Sequence, residues 1–443
     1  LVDLGLKTGQ DAECPYSLPS LPASREGFAV IHLGEGDGWD PERPCMSSIV
    51  MNRGEAYLID AGPNIEQSLE AVGLAVGCLK GIFQTHVHDD HFVGLTALMR
   101  SERRLSYYAV PTVRRSAQRK LEALSGIGER DFKLLFDARD LEAGAWNDID
   151  GMEVLPRYSP HPLETTTFCF RSAGADGTRR SYAHGADLSS FSILDAMTDE
   201  SSRPAALSAE EAETIKREYL EPADIKKVDV GGGQIHGDAA DFSRDASEEL
   251  LLSHGIRSSV AARLGFGRVA RFGEKRVFLP LDGTWYARNA LSALRAYFPG
   301  AAEKDLRILL DQPFRAFSAK DTLCRAGDTP DSVFLSIDGK LEILDAAGTT
   351  VNVLRAGALV NALECVSGKP VFSAVRAGAE TRVLVMAAER FLSFVRSNEL
   401  ENDFREVYAA YRALASCDAF KALEFLTGLI PAARSARRKS FPA

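Results

Sequence analysis

The segment QTHVHDDHFVG, Gln84 to Gly94, places three of the chain's eight histidines within six positions, beside two aspartates. Imidazole nitrogens and carboxylate oxygens are the donor set of zinc, iron and manganese. If the segment continues an extended strand, His86 and His88 point to the same side. Asp90 and His91 are then left to face a second metal. The chemistry to expect is hydrolytic: a water shared by two Lewis acids loses a proton near neutral pH and becomes a hydroxide nucleophile.

The surrounding text supplies the elements that must hold these residues. SSIVMNRGEAYLIDAG (47–62) reads as a hairpin around Asn52-Arg53-Gly54. A helix follows, with Ile65, Leu69 and Val72 on one face and Asn64 as its cap. LKGIFQTH is a buried strand running into the histidine cluster. Ser208 and Glu211 form a capping box that opens another helix. Strands return in IKKVDVGGG and EELLLSH, and this alternation predicts an α/β layered domain to about Pro299. GEGDG (34–38) lacks the strand–loop–helix setting of a phosphate loop and reads as a turn. In GGGQIHGD (231–238) the glycines beside His236 let the backbone approach a ligand closely.

The string H-x-H-x-D-H, preceded by YLIDAGPN, a helix and GIFQTH, resembles the metallo-β-lactamase superfamily over roughly the first two thirds of the chain. The resemblance implies an αββα sandwich and a binuclear site for two divalent metal ions, with zinc favoured and iron or manganese alternatives. It assigns His86, His88, Asp90 and His91 as ligands. His161 in YSPHPLETT stands where the superfamily places its third histidine for the first metal. Asp187 in RSYAHGADLSS matches the bridging carboxylate, and two nearby cations need such an anionic bridge. His184 is read as packed nearby, and His32 as a surface or core histidine. The last ligand is open between two histidines. In the branch resembling tRNA 3′-processing endonucleases, Asp229 pairs with a catalytic His236, and His254 is the ligand. In the glyoxalase-like branch His236 is the ligand. The strand-then-histidine form of LLLSH favours His254. The expected catalytic groups are therefore Asp90, Asp229 and His236, with His236 protonating a leaving alkoxide or steadying an oxyanion.

From Phe314 the pattern changes to short β runs with recurring Gly and Asp-Gly turns, as in a barrel or jelly roll. FSAKDTLCRAGDTPDSVFLSIDGKLEILDAAGTTVNVLRAG resembles the β-roll of cyclic-nucleotide-binding domains over about 100 residues. Where that family carries Gly-Glu for the ribose and Arg after Pro for the phosphate, this chain has Asn361-Ala362 and Val371. An anionic phosphate there would lack its bidentate partner, so cAMP binding is not expected, and a docking, regulatory or dimerisation role is. The resulting division is an N-terminal extension (1–25), a metallo-β-lactamase-like domain (26–300), a β-roll with flanking helices (305–415), and a C-terminal helix with a basic tail (416–443). The string RRKSF in that tail is given no role.

Composition excludes several classes. A chain of 443 residues exceeds one core's usual reach, and two domains are expected. Its net charge of −10 argues against a broad nucleic-acid surface, though not against a local basic pocket. No apolar run is long enough to span a bilayer, and no basic–apolar–small leader pattern is seen. Seven cysteines, odd in number and never spaced CxxC, make neither a disulfide framework nor a zinc ribbon, so a reducing, cytoplasmic setting is expected. The functional expectation is a binuclear hydrolase acting on a phosphodiester or other small ester, its substrate a small or nucleotide-type molecule, in a chain that can form a homo-oligomer. The alternative is a diiron oxygen-binding or oxygen-reducing sensor resembling flavodiiron proteins, which usually carry Glu at the place of His88. A third reading, a scaffold with structural metals, is disfavoured by a ligand set that leaves a position open for water.

Overall fold

The computed structural model describes residues 14–21, 24–99, 104–126, 128–174, 176–199, 205–232, 235–281 and 284–415. The expected C-terminal helix and basic tail, 416–443, lie outside the described residues, as does much of the N-terminal extension. The chain packs as two compact units: residues up to Val72 with Leu79–Leu281, and Gly73–Cys78 with the chain from 282 onward.

In the first unit, one sheet contains β1 (Phe28–Gly34), β2 (Ser47–Asn52), β3 (Glu55–Ile59), β4 (Leu79–Phe83), β5 (Leu105–Ala109) and β6 (Phe136–Asp140). A second is built by β7 (Asn147–Ile149), β8 (Met152–Ser159), β9 (Thr165–Ala173), β10 (Arg179–His184), β11 (Ile225–Asp229) and β12 (Glu249–Ser253). β13 (Lys275–Leu279) returns to the first sheet and pairs antiparallel with β1. The strands β3 to β6 run parallel, as do β10, β11 and β12. β1 and β2 are buried at every position, as strands covered on both faces must be. The expected hairpin joins β2 to β3, with Arg53 and Gly54 at φ of 49° and 82°.

The sheets pack face to face. The Phe83 ring lies 5.7 Å from Phe168 and 5.1 Å from Phe170, and each ring buried this way contributes about 1.5–3 kcal/mol. A polar seam crosses the same interface. Lys227 Nζ donates to Gly34 O at 2.6 Å and Ser47 O at 3.1 Å, and it pairs with Glu35 at 3.2 Å. Helices cover the outer faces. Phe132 of helix Glu129–Leu135 packs on Tyr107 of the first sheet, and Leu194, Ala212, Tyr219 and Ala261 pack with Val228 and Leu252 of the second. The result is the αββα sandwich expected. The capping box is formed as read: Ser208 N donates to Glu211 Oε2 at 2.8 Å, and Glu211 N donates to Ser208 Oγ at 3.2 Å. Asn64 departs from expectation. It precedes helix Ile65–Ala71 in the left-handed region (φ 58°), a conformation from which its side chain makes no cap hydrogen bond.

The second unit is two four-stranded antiparallel sheets flanked by helices. Leu341, Ile343, Val375, Val383 and Val385 fill the space between them. Gly339 makes the tight connection between Ser332–Asp338 and Lys340–Leu344 at φ 87°, and a Cβ there would lie 2.4 Å from Glu380 O. Helices Thr284–Tyr297 and Glu303–Leu310 pack with this unit. The physical reason is aromatic packing: Phe298 lies 5.1 Å from Phe394 and 6.1 Å from Phe391. No described helix is long and apolar enough to cross a membrane.

Candidate metal centre

Six strands of the first unit end on one edge, and each delivers a polar side chain there. Asp60 follows β3, the run His86–His91 follows β4, His161 follows β8, Asp187 follows β10, Asp229 closes β11, and His254 follows β12. Parallel strands put all these carboxyl ends together, so residues nearly two hundred positions apart become neighbours.

Two donor groups meet at Asp187. Its Oδ2 lies 3.4 Å from His86 Nε2, 3.7 Å from His88 Nδ1 and 3.4 Å from His161 Nε2. Its Oδ1 lies 3.1 Å from His91 Nε2 and 3.2 Å from His254 Nε2. Asp90 Oδ2 completes the second group, 3.3 Å from both of those nitrogens. The four donor atoms of His86, His88, His161 and Asp187 lie within 4.8 Å of one another, as do those of Asp90, His91 and His254. One carboxylate thus faces both groups, one oxygen to each.

The outer contacts orient these rings. Asp60 is fully buried and accepts four hydrogen bonds: from Gln84 Nε2 at 3.0 Å, Thr85 N at 2.8 Å, Thr85 Oγ1 at 2.6 Å and His91 Nδ1 at 2.8 Å. With its Nδ1 donating to that carboxylate, His91 presents a bare Nε2 to the centre. Asp229 serves two histidines. Its Oδ2 accepts from His236 Nδ1 at 3.0 Å and Leu188 N at 3.0 Å, and its Oδ1 lies 3.4 Å from His254 Nδ1. Gly237 lets the chain double back here, since a Cβ would lie 2.3 Å from Asp229 O. From outside, Lys120 Nζ donates to Val87 O at 2.5 Å and pairs with Asp89 at 2.6 Å, bracing the histidine run.

The electrostatics fit a cation. Burial lowers the pKa of His86, and it lowers that of His161 to about 3, so both rings rest in the neutral, ligating form. The second group has surplus negative charge. Burial alone would depress His254, yet Asp187 and Asp229 raise it to about 9, and Asp90 and Asp187 likewise hold His91 well above its usual value. Burial would raise Asp90 and Asp187, but the surrounding histidines hold both below the usual carboxylate range. His91 Nε2 and Asp187 Oδ1 are buried with no hydrogen-bond partner, the state of donors turned towards a metal. An open cavity of about 370 Å³ adjoins the cluster, bordered by His88, Asp90, Asp187, His236 and His254.

All nine residues singled out from the sequence come together at this edge: His86, His88, Asp90, His91, His161, Asp187, Asp229, His236 and His254. His254 stands in the second donor group, whereas His236 reaches Asp187 only at 3.9 Å and spends Nδ1 on Asp229. His184 and His32 are elsewhere: both are buried, and His184 Nδ1 lies 3.0 Å from Tyr182 OH. Asp60, Thr85 and Lys120 were not singled out. The signal for Asp60 was present, an aspartate closing the apolar run of β3 two residues before Gly62.

Two family models match the chain, one described as cyclic nucleotide-binding domain over residues 314–398 and one as anti-Pycsar protein Apyc1 over residues 28–156. The chain is 26% identical over 141 residues to the cGMP-dependent 3′,5′-cGMP phosphodiesterase A of Dictyostelium discoideum, covering 32% of this chain and 16% of that protein. It is 38% identical over 73 residues to ribonuclease Z of Pyrococcus abyssi, covering 16% of this chain and 24% of that enzyme. It therefore spans no more than a quarter of the length of either relative. The solved human short-form tRNase Z superposes with a TM-score of 0.40 and 18% identity, over 57% of this chain and all of that one. The chain joins an αββα unit to a β-roll matched at residues 314–398 by the cyclic nucleotide-binding domain model, and over parts of its length it is similar in sequence to proteins named as a phosphodiesterase and a ribonuclease Z.

Proposed function

We propose that the first unit is a binuclear, metal-dependent phosphodiesterase. The observation that carries this reading is Asp187, whose two oxygens face two separate donor groups. His86, His88, His161 and Asp187 would hold one cation, and Asp90, His91, His254 and Asp187 the other, with zinc the natural occupant of so many imidazoles. Cations held by these residues would supply Lewis acidity to a phosphoryl oxygen and would lower the pKa of a bound water.

The chain's own residues do the rest. Asp229 accepts from His236 Nδ1 and so fixes that ring's tautomer and angle. As an imidazolium balanced by the Asp229 carboxylate, the ring gives its Nε2 proton to the departing alkoxide and is left neutral with Nδ1–H still donated to Asp229, the role for which phosphodiesters need an acid. Asp60 does the same orienting work for His91. The similarity to proteins named as phosphodiesterases supports a phosphodiester over other esters.

The β-roll acts as a regulatory or oligomerisation module and does not bind cAMP. In support, Val371 is buried where a phosphate-binding Arg would stand, and Arg376 is engaged with Glu342 Oε2 at 2.7 Å.

Elemental analysis paired with hydrolysis of bis(p-nitrophenyl) phosphate tests the catalytic reading. The expected result is two zinc or manganese ions per chain and metal-dependent cleavage. In Asp187→Ala both the metal content and the cleavage fall, by more than the roughly 10–100-fold that loss of an outer partner costs. Two irons with no cleavage would overturn it.

A further inference from the structure

Trp39 is 88% exposed, more than any other large apolar side chain among the described residues. Its loop is held firmly. Gly36 N donates to Pro44 O at 2.9 Å, Met46 N to Gly36 O at 2.9 Å, and Gly255 N to Glu35 O at 2.8 Å. Asp37 Oδ1 accepts from Trp39 N at 3.1 Å, and Gly38 sits so close to the donor cluster that a Cβ would lie 2.8 Å from Asp90 Cβ. Trp39 also borders the cavity beside His236 and Asp187, together with Ile235, which is 38% exposed. A fixed loop therefore keeps a bare indole at the mouth of a site whose inner wall is charged.

A single exposed indole is ordinary on an open surface, but at the mouth of a cavity it presents a flat apolar face, with an N–H at one edge, to whatever enters. A ligand that suits this cavity has an anionic group for the donor cluster and a flat ring for the indole. A phosphodiester bearing a nucleobase has both at adjacent positions. We propose that Trp39 is the platform on which a substrate's nucleobase stacks, and that the site takes nucleotide phosphodiesters in preference to base-free ones. The proposal rests on the phosphodiesterase reading above and names its substrate class. Stacking on an aromatic face is tolerant of base identity, so purines and pyrimidines are both accepted.

Calorimetric titration of the full chain with GMP and with ribose 5-phosphate tests this apart from turnover. Wild type is expected to bind GMP more tightly than the sugar phosphate. Trp39→Ala weakens GMP on the order of ten-fold more than ribose 5-phosphate, and Trp39→Phe regains most of the loss. In kinetics, the same substitution raises KM for a p-nitrophenyl nucleoside phosphate more than for methyl p-nitrophenyl phosphate. Equal weakening of both ligands, or no discrimination by the wild type, would overturn the platform. The expected binding pattern with no turnover of any phosphodiester would leave the platform standing and remove the catalytic reading instead.

Discussion

The donor cluster of the first unit and the segment Asn361–Val371 of the second both follow buried strands, and they treat their polar groups in opposite ways. Around Asp187, four imidazole Nε2 atoms lie within 3.4 Å of a single carboxylate, two facing each of its oxygens. Around Asn361, the polar atoms are spent on neighbours. Asn361 Nδ2 donates to Ser332 O at 3.4 Å, Cys324 Sγ donates to Asn361 Oδ1 at 3.5 Å, and Arg376 Nη2 donates to Thr350 Oγ1 at 3.2 Å. The β-roll keeps its shape regardless, because Leu341, Ile343, Val375 and Val383 hold its sheets together without help from that segment. The donor cluster has no such independence: its charges are themselves buried, and removing one leaves the others uncompensated. A fold is kept by its apolar alternation, a site only by its particular side chains.

That contrast can be broken at several points besides Asp187. The next largest effect belongs to Asp229→Asn, which spoils the orientation of His236. The rate on alkyl phosphodiesters should fall about 10²–10⁴-fold, the usual worth of a general acid. p-Nitrophenyl esters, whose leaving group needs no proton, should lose much less. An equal loss on both substrates would make Asp229 a purely structural group.

Asp60→Asn removes the acceptor that sets His91. Metal affinity, read by competition with a chelator, should weaken about 10–100-fold, with turnover recovering when excess metal is supplied. Unchanged affinity would show that His91 needs no outer partner.

A smaller effect is the pH dependence of the metal-free chain. His254 is raised from 6.5 to about 9 in the folded state, so its contribution to stability is complete below 6.5 and is lost as pH rises through 9. Asp90 and Asp187 are depressed, so their contributions are present above the ordinary carboxylate range and are lost as pH falls below it towards their lower folded values. His86 and His161 are shifted the other way and cost stability as pH falls below 6.5, so the site stabilises the stripped protein most near pH 6.5. Binding a cation at His254 requires the neutral ring, so the rise in Tm on adding metal should grow from pH 6.5 to 9. A metal-induced shift independent of pH would remove His254 from the second group. The smallest effect is expected in the second unit, where cAMP should leave Tm and turnover unchanged; a saturable shift would restore nucleotide binding to the β-roll.

The sequence carried a large part of this molecule. Short loops fix their own neighbours, so the spacing of His86, His88, Asp90 and His91 after an apolar strand was enough to place four donors together. Period-two alternation and Asn-Arg-Gly fixed the hairpin, and Ser208 with Glu211 fixed a helix start, because those signals act within a few residues. Family resemblance added His161, Asp187, Asp229, His236 and His254. Tertiary structure decided what depends on partners from distant strands. His236 and His254 both turn Nδ1 towards Asp229, and only the folded arrangement brings His254 Nε2 within 3.3 Å of Asp187 and Asp90. Asp60 reads as a strand end until His91 arrives from the next crossover, and Trp39, one residue past the turn at 34–38, borders a cavity only in the folded chain. Residue type and spacing determine which atoms can bind; sheet register and core packing determine which of them face the same point.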